Sequence, residues 1–460
     1  MTAPPPVPPP GCPAHAGATA TEGITRLYGP ETIADPGAAY ERLRAEYGAV
    51  APILVDGDFP GWLVLGYREN LEVMRTPSRF SRDARNWRDW REGRIPPDAT
   101  ILPIMEYRPD CVSSDGAEHQ RLRSVVTESL DRFDRRGIRK HVQRLSHDLI
   151  DRIAADGHAD LVAQFAQQLP MLVIAQLYGL PDEMGPQLVQ ASAELMMQSE
   201  RALESNEFIL QTLRDLADRK RREPAADFPS WLIEHPNRLS EDEVLHHLRL
   251  VMVAANELTI ALIANTLRVV LTDDRFAASL AGARLSLPDA VEQVLWDEPP
   301  LWVIPGRWAL VDTELGGRRI RAGDLLVLGV MAGNVDPQIR TDLTVPVHHN
   351  RAHLAFSGGA HLCPGQDIGR AITDTAIDTL NSRLPDIRLA HPDQPPAWHA
   401  ATWARYLTSL PVDFTPVPLV EPAEWVRPAR AADHTTRPPE PPLPPLPSTW
   451  WSRLSTWLFG

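Results

Sequence analysis

Apolar positions along the chain follow two rhythms, one of strands and one of helices. Ala51-Pro52-Ile53-Leu54-Val55, a turn at Asp56-Gly57-Asp58, then Trp62-Leu63-Val64-Leu65 predict a β-hairpin. A short helix follows over Glu69 to Arg75 and stops before Pro77. The segment from Arg82 to Asp115 is polar and irregular, with Trp87, Trp90 and several prolines, and a connection of that length is usually functional or disordered. Helical spacing then dominates: Ile138 to Ile153, Leu161 to Leu177, roughly Glu183 to Gln198, and Arg201 to Arg222. Gly179-Leu180-Pro181 and Glu223-Pro224 supply the breaks. Val244 to Leu271 is the longest apolar run, and from Val251 to Val270 its charges are Glu257 and Arg268. Its length alone is borderline for a membrane span. A central glutamate instead predicts a helix buried through a globular core, where that charge is costly unless paired or functional. Short strands return at Trp308 to Leu310, Arg318 to Ile320 and Leu325 to Val330, and a last helix runs from Gln366 to Leu380.

The two ends read differently. Residues 1–24 form a Pro/Ala-rich extension without the basic start and apolar run of a secretory signal, and are expected to be disordered. Residues 415–460 pass through Pro438 to Pro447, a polyproline spacer, to a tail with Trp450, Trp451 and Trp457. The plainer alternative for this tail is a disordered end or one packed back on the core, and the sharper one is an interfacial anchor or a partner-docking peptide, since clustered tryptophans favour interfaces. The 460 residues carry a net charge of -14, which argues against nucleic acid as a partner. Three cysteines, Cys12, Cys111 and Cys363, give no disulfide framework and fit a reducing cytoplasm.

Cys363 stands apart. The string Phe356-Ser357-Gly358-Gly359-Ala360-His361-Leu362-Cys363-Pro364-Gly365 sets it on a glycine-rich loop just before a helix. Backbone amides and the helix dipole stabilise a thiolate there, which suits an axial ligand of haem iron. A free thiol on a flexible loop is the plainer alternative. The full string resembles the haem-binding loop of the cytochrome P450 family: Phe, two residues, Gly, one residue, His or Arg, one residue, Cys, one residue, Gly. All five positions are filled here. The resemblance covers roughly residues 25–414 as one catalytic domain. It implies a mainly α cytochrome P450 fold with a small β-rich region, and haem b ligated by Cys363.

Further residues match the family. His119 and Arg123 lie four apart on one helical face. That spacing alone is equally a solvated basic face. The resemblance makes them propionate contacts, together with Arg307, His353 and His361, since arginine forks onto carboxylates. On the long helix the family's Ala-Gly-x-Asp/Glu-Thr pattern meets Ala254-Ala255-Asn256-Glu257-Leu258-Thr259. The acid is present as Glu257, but Leu258 holds the hydroxyl position. Thr259 is one residue, about 100° of helix, further on and would serve only if the helix unwinds. The family's Glu-x-x-Arg becomes Gln293 and Trp296 before Glu298-Pro299-Pro300. Losing both charges together is physically sensible, because one alone would be stranded. The family's third member, an arginine, has His348 and His349 as its nearest, loose matches.

The activity this implies is insertion of one oxygen atom from O2 into a small organic, apolar substrate. Electrons would come from NAD(P)H through a ferredoxin and ferredoxin reductase, with Glu257 and Thr259 as the catalytic pair. The expected location is the cytoplasm, without a transmembrane anchor. Two alternatives remain open: a haem-binding regulatory or sensing partner, motivated by Leu258 and the missing charge pair, and a peroxide-driven oxidase.

Overall fold

The computed structural model describes residues 23–417, apart from residues 98, 197–200, 274–275, 277–285, 348 and 401. The N-terminal extension up to residue 22 and the tail from residue 418 therefore lie outside the described residues. So does His348.

Eight helices place the site. They are α1 (Gly116–Leu130), α2 (Arg135–Asp151), α3 (Leu169–Leu177), α4 (Gly185–Met196), α5 (Ala202–Arg222), α6 (Glu241–Thr272), α7 (Leu287–Asp297) and α8 (Gln366–Arg383). The helical run expected from Leu161 to Leu177 divides into a π-helical stretch, Val162–Ala166, and α3. Pro170 in the first turn of α3 has no N–H to continue the earlier ladder, so the helix restarts there. The central helix α6 begins with a capping box, in which Ser240 and Glu243 satisfy each other's backbone amides. From Ile260 to Leu267 every residue of α6 is buried. Ile263, Ala264 and Leu267 among them share one apolar core with α2, α3 and α8. The helix is apolar and long enough to cross a membrane, yet most of its apolar stretch is enclosed by the protein's own helices.

Six strands form a sheet beside the helices: β1 (Thr25–Arg26), β2 (Val50–Val55), β3 (Phe59–Val64), β4 (Phe80–Ser81), β5 (Val303–Ala309) and β6 (Leu325–Gly329). Their spatial order is β1-β2-β3-β6-β5-β4. The expected hairpin is β2–β3, paired antiparallel from Val50 with Val64 to Val55 with Phe59. The β5–β6 ladder slips between Ile304 and Arg307, where Gly306 takes φ +76°. Such a bulge re-aims the next side chain, and here that side chain is Arg307. Near the C-terminal end a small hairpin, β7 (Trp398–Ala400) and β8 (Arg405–Leu407), packs its second strand on α6. The domain is mainly α with a small β-rich part, as its pattern and its resemblance imply.

Candidate active site

The loop before α8 is held open by its own backbone. The Cys363 amide donates to the Phe356 carbonyl at 2.9 Å. Gly359 takes φ +63°, and a Cβ there would collide with the Met74 carbonyl, so only glycine lets the loop cross the short helix Tyr67–Arg75. Gly365 is the N-cap of α8, and the amides of Gly365 and Gln366 hydrogen-bond the Cys363 sulfur. Pro364, between Cys363 and Gly365, offers no N–H. Burial pushes the Cys363 thiol up, while these amides and the guanidinium groups of Arg123 and Arg370 favour the thiolate.

A cationic rim lies beside this loop. The rings of His119 and His361 stack with centroids 4.2 Å apart. His361 Nε2 faces Asp115 Oδ1 at 3.4 Å. Arg123 donates from Nε to Thr127 Oγ1 at 3.0 Å and reaches the Leu362 carbonyl with its other end. Arg82 donates to the carbonyls of Val112, Pro305 and Gly306. The bulge turns Arg307 inward until it is only 2% exposed, and its Nη1 donates to the Gly306 carbonyl at 3.3 Å. Burial and the neighbouring Arg82 push the Arg307 guanidinium well down from its usual range. Burial, aided by Arg307, Arg82 and His119, takes His361 down to about 3 against the pull of Asp115. His119 is lowered for the same reasons, burial first and then Arg123. Asp115 is raised by burial, but hydrogen bonds from His361, Ser81 and the Arg82 amide outweigh that and hold it at about 2.

The rim is thus short of negative charge. It holds three guanidinium groups and two imidazoles against the carboxylates of Asp115 and, beside Arg82, Asp110. His119 Nε2 is buried without a hydrogen-bond partner among the described residues. Two propionates would supply the missing charge and acceptors, so these residues fit a haem whose iron is ligated by Cys363.

The opposite wall is α6. Ala254 is exposed and Glu257 and Leu258 are partly buried, just before the fully buried stretch of α6, so the helix presents an open stripe here. Ala254 and Leu258 are one turn apart. Leu262, one further turn on, belongs to the cluster against which Ala355 and Phe356 of the cysteine loop pack. The open stripe of α6 therefore leads onto the loop. Burial pushes the Glu257 carboxyl up to about 7 against the opposing pull of Arg249. Tyr406 of β8 also feels this site: burial and the charge of Glu257 raise its phenol above the usual range.

Two expectations change here. The helix is unbroken through 254–259, so Thr259 stays about 100° away from Leu258 and is buried, and Leu258 occupies the open face. His353 does not join the rim. Its Nδ1 accepts from the Ala355 amide and its Nε2 faces Glu292 and Arg370, so both ring nitrogens are committed. Phe356 follows it, packing its ring against His353 at 5.6 Å and under Arg370. Gln293 and Trp296 replace the charge pair with neutral side chains, and Gln293 Nε2 donates to the Asp297 carboxylate. Gln293 Oε1 accepts from the Val347 amide at 3.0 Å, and Trp296 Nε1 donates to the Asn350 carbonyl at 2.7 Å. Asp115, Arg82, Glu292 and Arg370 are the residues that sequence reasoning missed. An Asp-Gly pair opening the His119 helix is the one local signal among them.

A mainly helical domain with a cysteine thiolate loop and a buried cationic rim is the architecture of a haem-thiolate protein. No protein-family model matches the chain. Nocardicin C N-oxygenase of Nocardia uniformis subsp. tsuyamanensis is 30% identical over 413 residues, spanning 86% of this chain and all of that one. Mycinamicin IV hydroxylase/epoxidase of Micromonospora griseorubida is 30% identical over 383 residues, 81% of this chain and 91% of that one. The crystal structure of myxobacterial cytochrome P450 CYP267B1 in complex with myristic acid superposes with a TM-score of 0.72 at 31% identity, covering 85% of this chain and 98% of that one. The chain belongs to the cytochrome P450 family. It is a monooxygenase, an oxidoreductase of that family, and haem is the cofactor the family implies.

Proposed function

We propose that this chain inserts one oxygen atom from O2 into a small, largely apolar organic substrate, with electrons from NAD(P)H delivered by a ferredoxin and its reductase in the cytoplasm. The observation that carries this reading is the pairing of two walls: the Cys363 loop with its cationic rim, and the open stripe of α6. A thiolate-ligated haem supplies the oxygen chemistry, because the sulfur pushes electron density to the iron and favours O–O cleavage. The protein's residues do the rest. Arg307, Arg123, His119 and His361 hold the carboxylates of the cofactor at the rim. Val251, Ala254, Ala255 and Leu258 give the substrate an apolar wall. Glu257 holds a proton near neutral pH on that wall and passes it to the reacting oxygen, directly or through water. Named relatives hydroxylate, epoxidise or N-oxygenate, and oxygen insertion of that kind is proposed here.

The test is product formation by purified protein with NAD(P)H, a ferredoxin and its reductase across a panel of apolar substrates. Substrate-dependent NAD(P)H consumption matched by oxygenated product is the expected result. Turnover with hydrogen peroxide alone and none with the ferredoxin system would overturn the electron route. Haem binding without turnover by either route would point to the sensing alternative.

A further inference from the structure

Glu292, His353 and Arg370 form a buried polar knot that oxygen insertion as described above does not use. Their side chains are 6%, 1% and 6% exposed. Arg370 donates from Nε to Glu292 Oε1 at 2.6 Å and from Nη2 to Oε2 at 3.2 Å, a bidentate fork. The Ala355 amide donates to His353 Nδ1, which fixes the neutral imidazole with its proton on Nε2. That proton faces Glu292 Oε2 at 3.1 Å, and Arg370 Nη2 lies 3.1 Å from the same nitrogen. The buried knot thus pairs one carboxylate with one guanidinium and a neutral imidazole, while the exposed Arg351 adds a second cation 3.6 Å from Glu292 Oε1. It joins α7, α8 and the segment leading to the cysteine.

The guanidinium is the charged member that reaches the cysteine loop. It lies over the Phe356 ring, 4.6 Å from the centroid, and the Phe356 carbonyl accepts the Cys363 amide. With Arg123 it is one of the two cations that stabilise the sulfur's charge.

We propose that Arg370 is a positioning residue for the haem thiolate: the Arg370–Glu292 pair is a fixed dipole, its guanidinium seated on Phe356 of the cysteine loop, that holds the loop and raises the reduction potential of the bound haem. This rests on the haem-thiolate reading of Cys363. A cation near the iron favours the added electron, so removing it lowers the potential. Removing the anion paired with it raises the potential. A tie with a merely structural role has no reason to reverse sign.

Redox titration of the full-length holoprotein and its Arg370→Met, Glu292→Gln and Arg370→Lys forms is the test. The expected results are a more negative potential for Arg370→Met, a more positive one for Glu292→Gln, and one close to wild type for Arg370→Lys. A tenfold change in the one-electron equilibrium is about 59 mV, well within reach of the measurement. Shifts of the same sign in the two neutralising variants, or none in either, would overturn the proposal. If Arg370→Met sheds haem, Glu292→Gln decides alone: an upward shift supports the dipole, and no shift or a downward one rejects it. Failure of the underlying reading looks different, because wild-type protein would then lack a thiolate-type spectrum before any variant is compared.

Discussion

Glu257→Gln is expected to cut the rate of product formation by about 10²- to 10⁴-fold, the range typical for loss of a positioned acid. Haem loading and the carbon monoxide spectrum should stay as in wild type, because the residue sits on the α6 wall and not on the rim. The pH dependence gives a sharper readout. Burial lifts the carboxyl to about 7, so it is mostly protonated at pH 6 and mostly ionised at pH 8. Acting as donor, it requires the protonated form, and wild-type turnover should fall as pH rises through about 7. The glutamine variant should show a low rate with that limb missing. Linkage predicts a matching stability effect. The folded state holds this proton more tightly than the unfolded chain, whose glutamate titrates near about 4.3. The stability it contributes is complete below that value and is lost as pH rises through about 7. Unaltered turnover in Glu257→Gln would remove the residue from the mechanism.

Arg307→Leu should weaken haem retention and strengthen the apoprotein at once. A hydrogen bond to a charged group is worth about 1.5–3 kcal/mol, which corresponds to about 10- to 150-fold in haem affinity. Without the cofactor's carboxylates, however, the same guanidinium is a buried charge next to another cation, Arg82, with Asp115 opposing it. Deleting it relieves that cost, so the apoprotein should melt higher than wild-type apoprotein. Haem transfer to a scavenger protein measures the first effect and thermal melts of the apo form measure the second. An unchanged haem dissociation rate would detach Arg307 from the cofactor.

The contrast between these residues shows what a sequence reveals. The cysteine loop is legible because its chemistry is local: glycines, a histidine and a helix start within ten residues. The His119 and Arg123 pair is legible only through the family resemblance, because two positions on one helical face read as well as a solvated basic face. The long helix is legible from its apolar run, and its glutamate separates it from a membrane span. The contacts that the spacing could not show are the long-range ones. Glu292 and Arg370 are 78 residues apart, and nothing near either announces the other. Arg307 shows only a strand-like environment, while its inward turn depends on a bulge at Gly306 against β6. His353 matches a family position, yet the Ala355 amide and Glu292 have already taken its two nitrogens. Thr259 depends on whether the helix unwinds, and an unbroken ladder through Thr272 keeps it off the open face.

Gln293 and Trp296 tie down a neighbouring segment without a charged side chain at either position. Both side chains are buried, and both bond backbone groups of the 347–350 segment. Neutral bonds of this kind avoid desolvating ions, which is why two charges disappear together more easily than one.

The central claim is that sulfur at position 363 ligates haem iron, and the reduced, carbon monoxide-bound spectrum of the purified holoprotein tests it most directly. The expected outcome is a thiolate-type band in wild type that vanishes in Cys363→Ala. A wild-type protein that stays colourless after haem reconstitution, or an alanine variant that retains the same band, would contradict it.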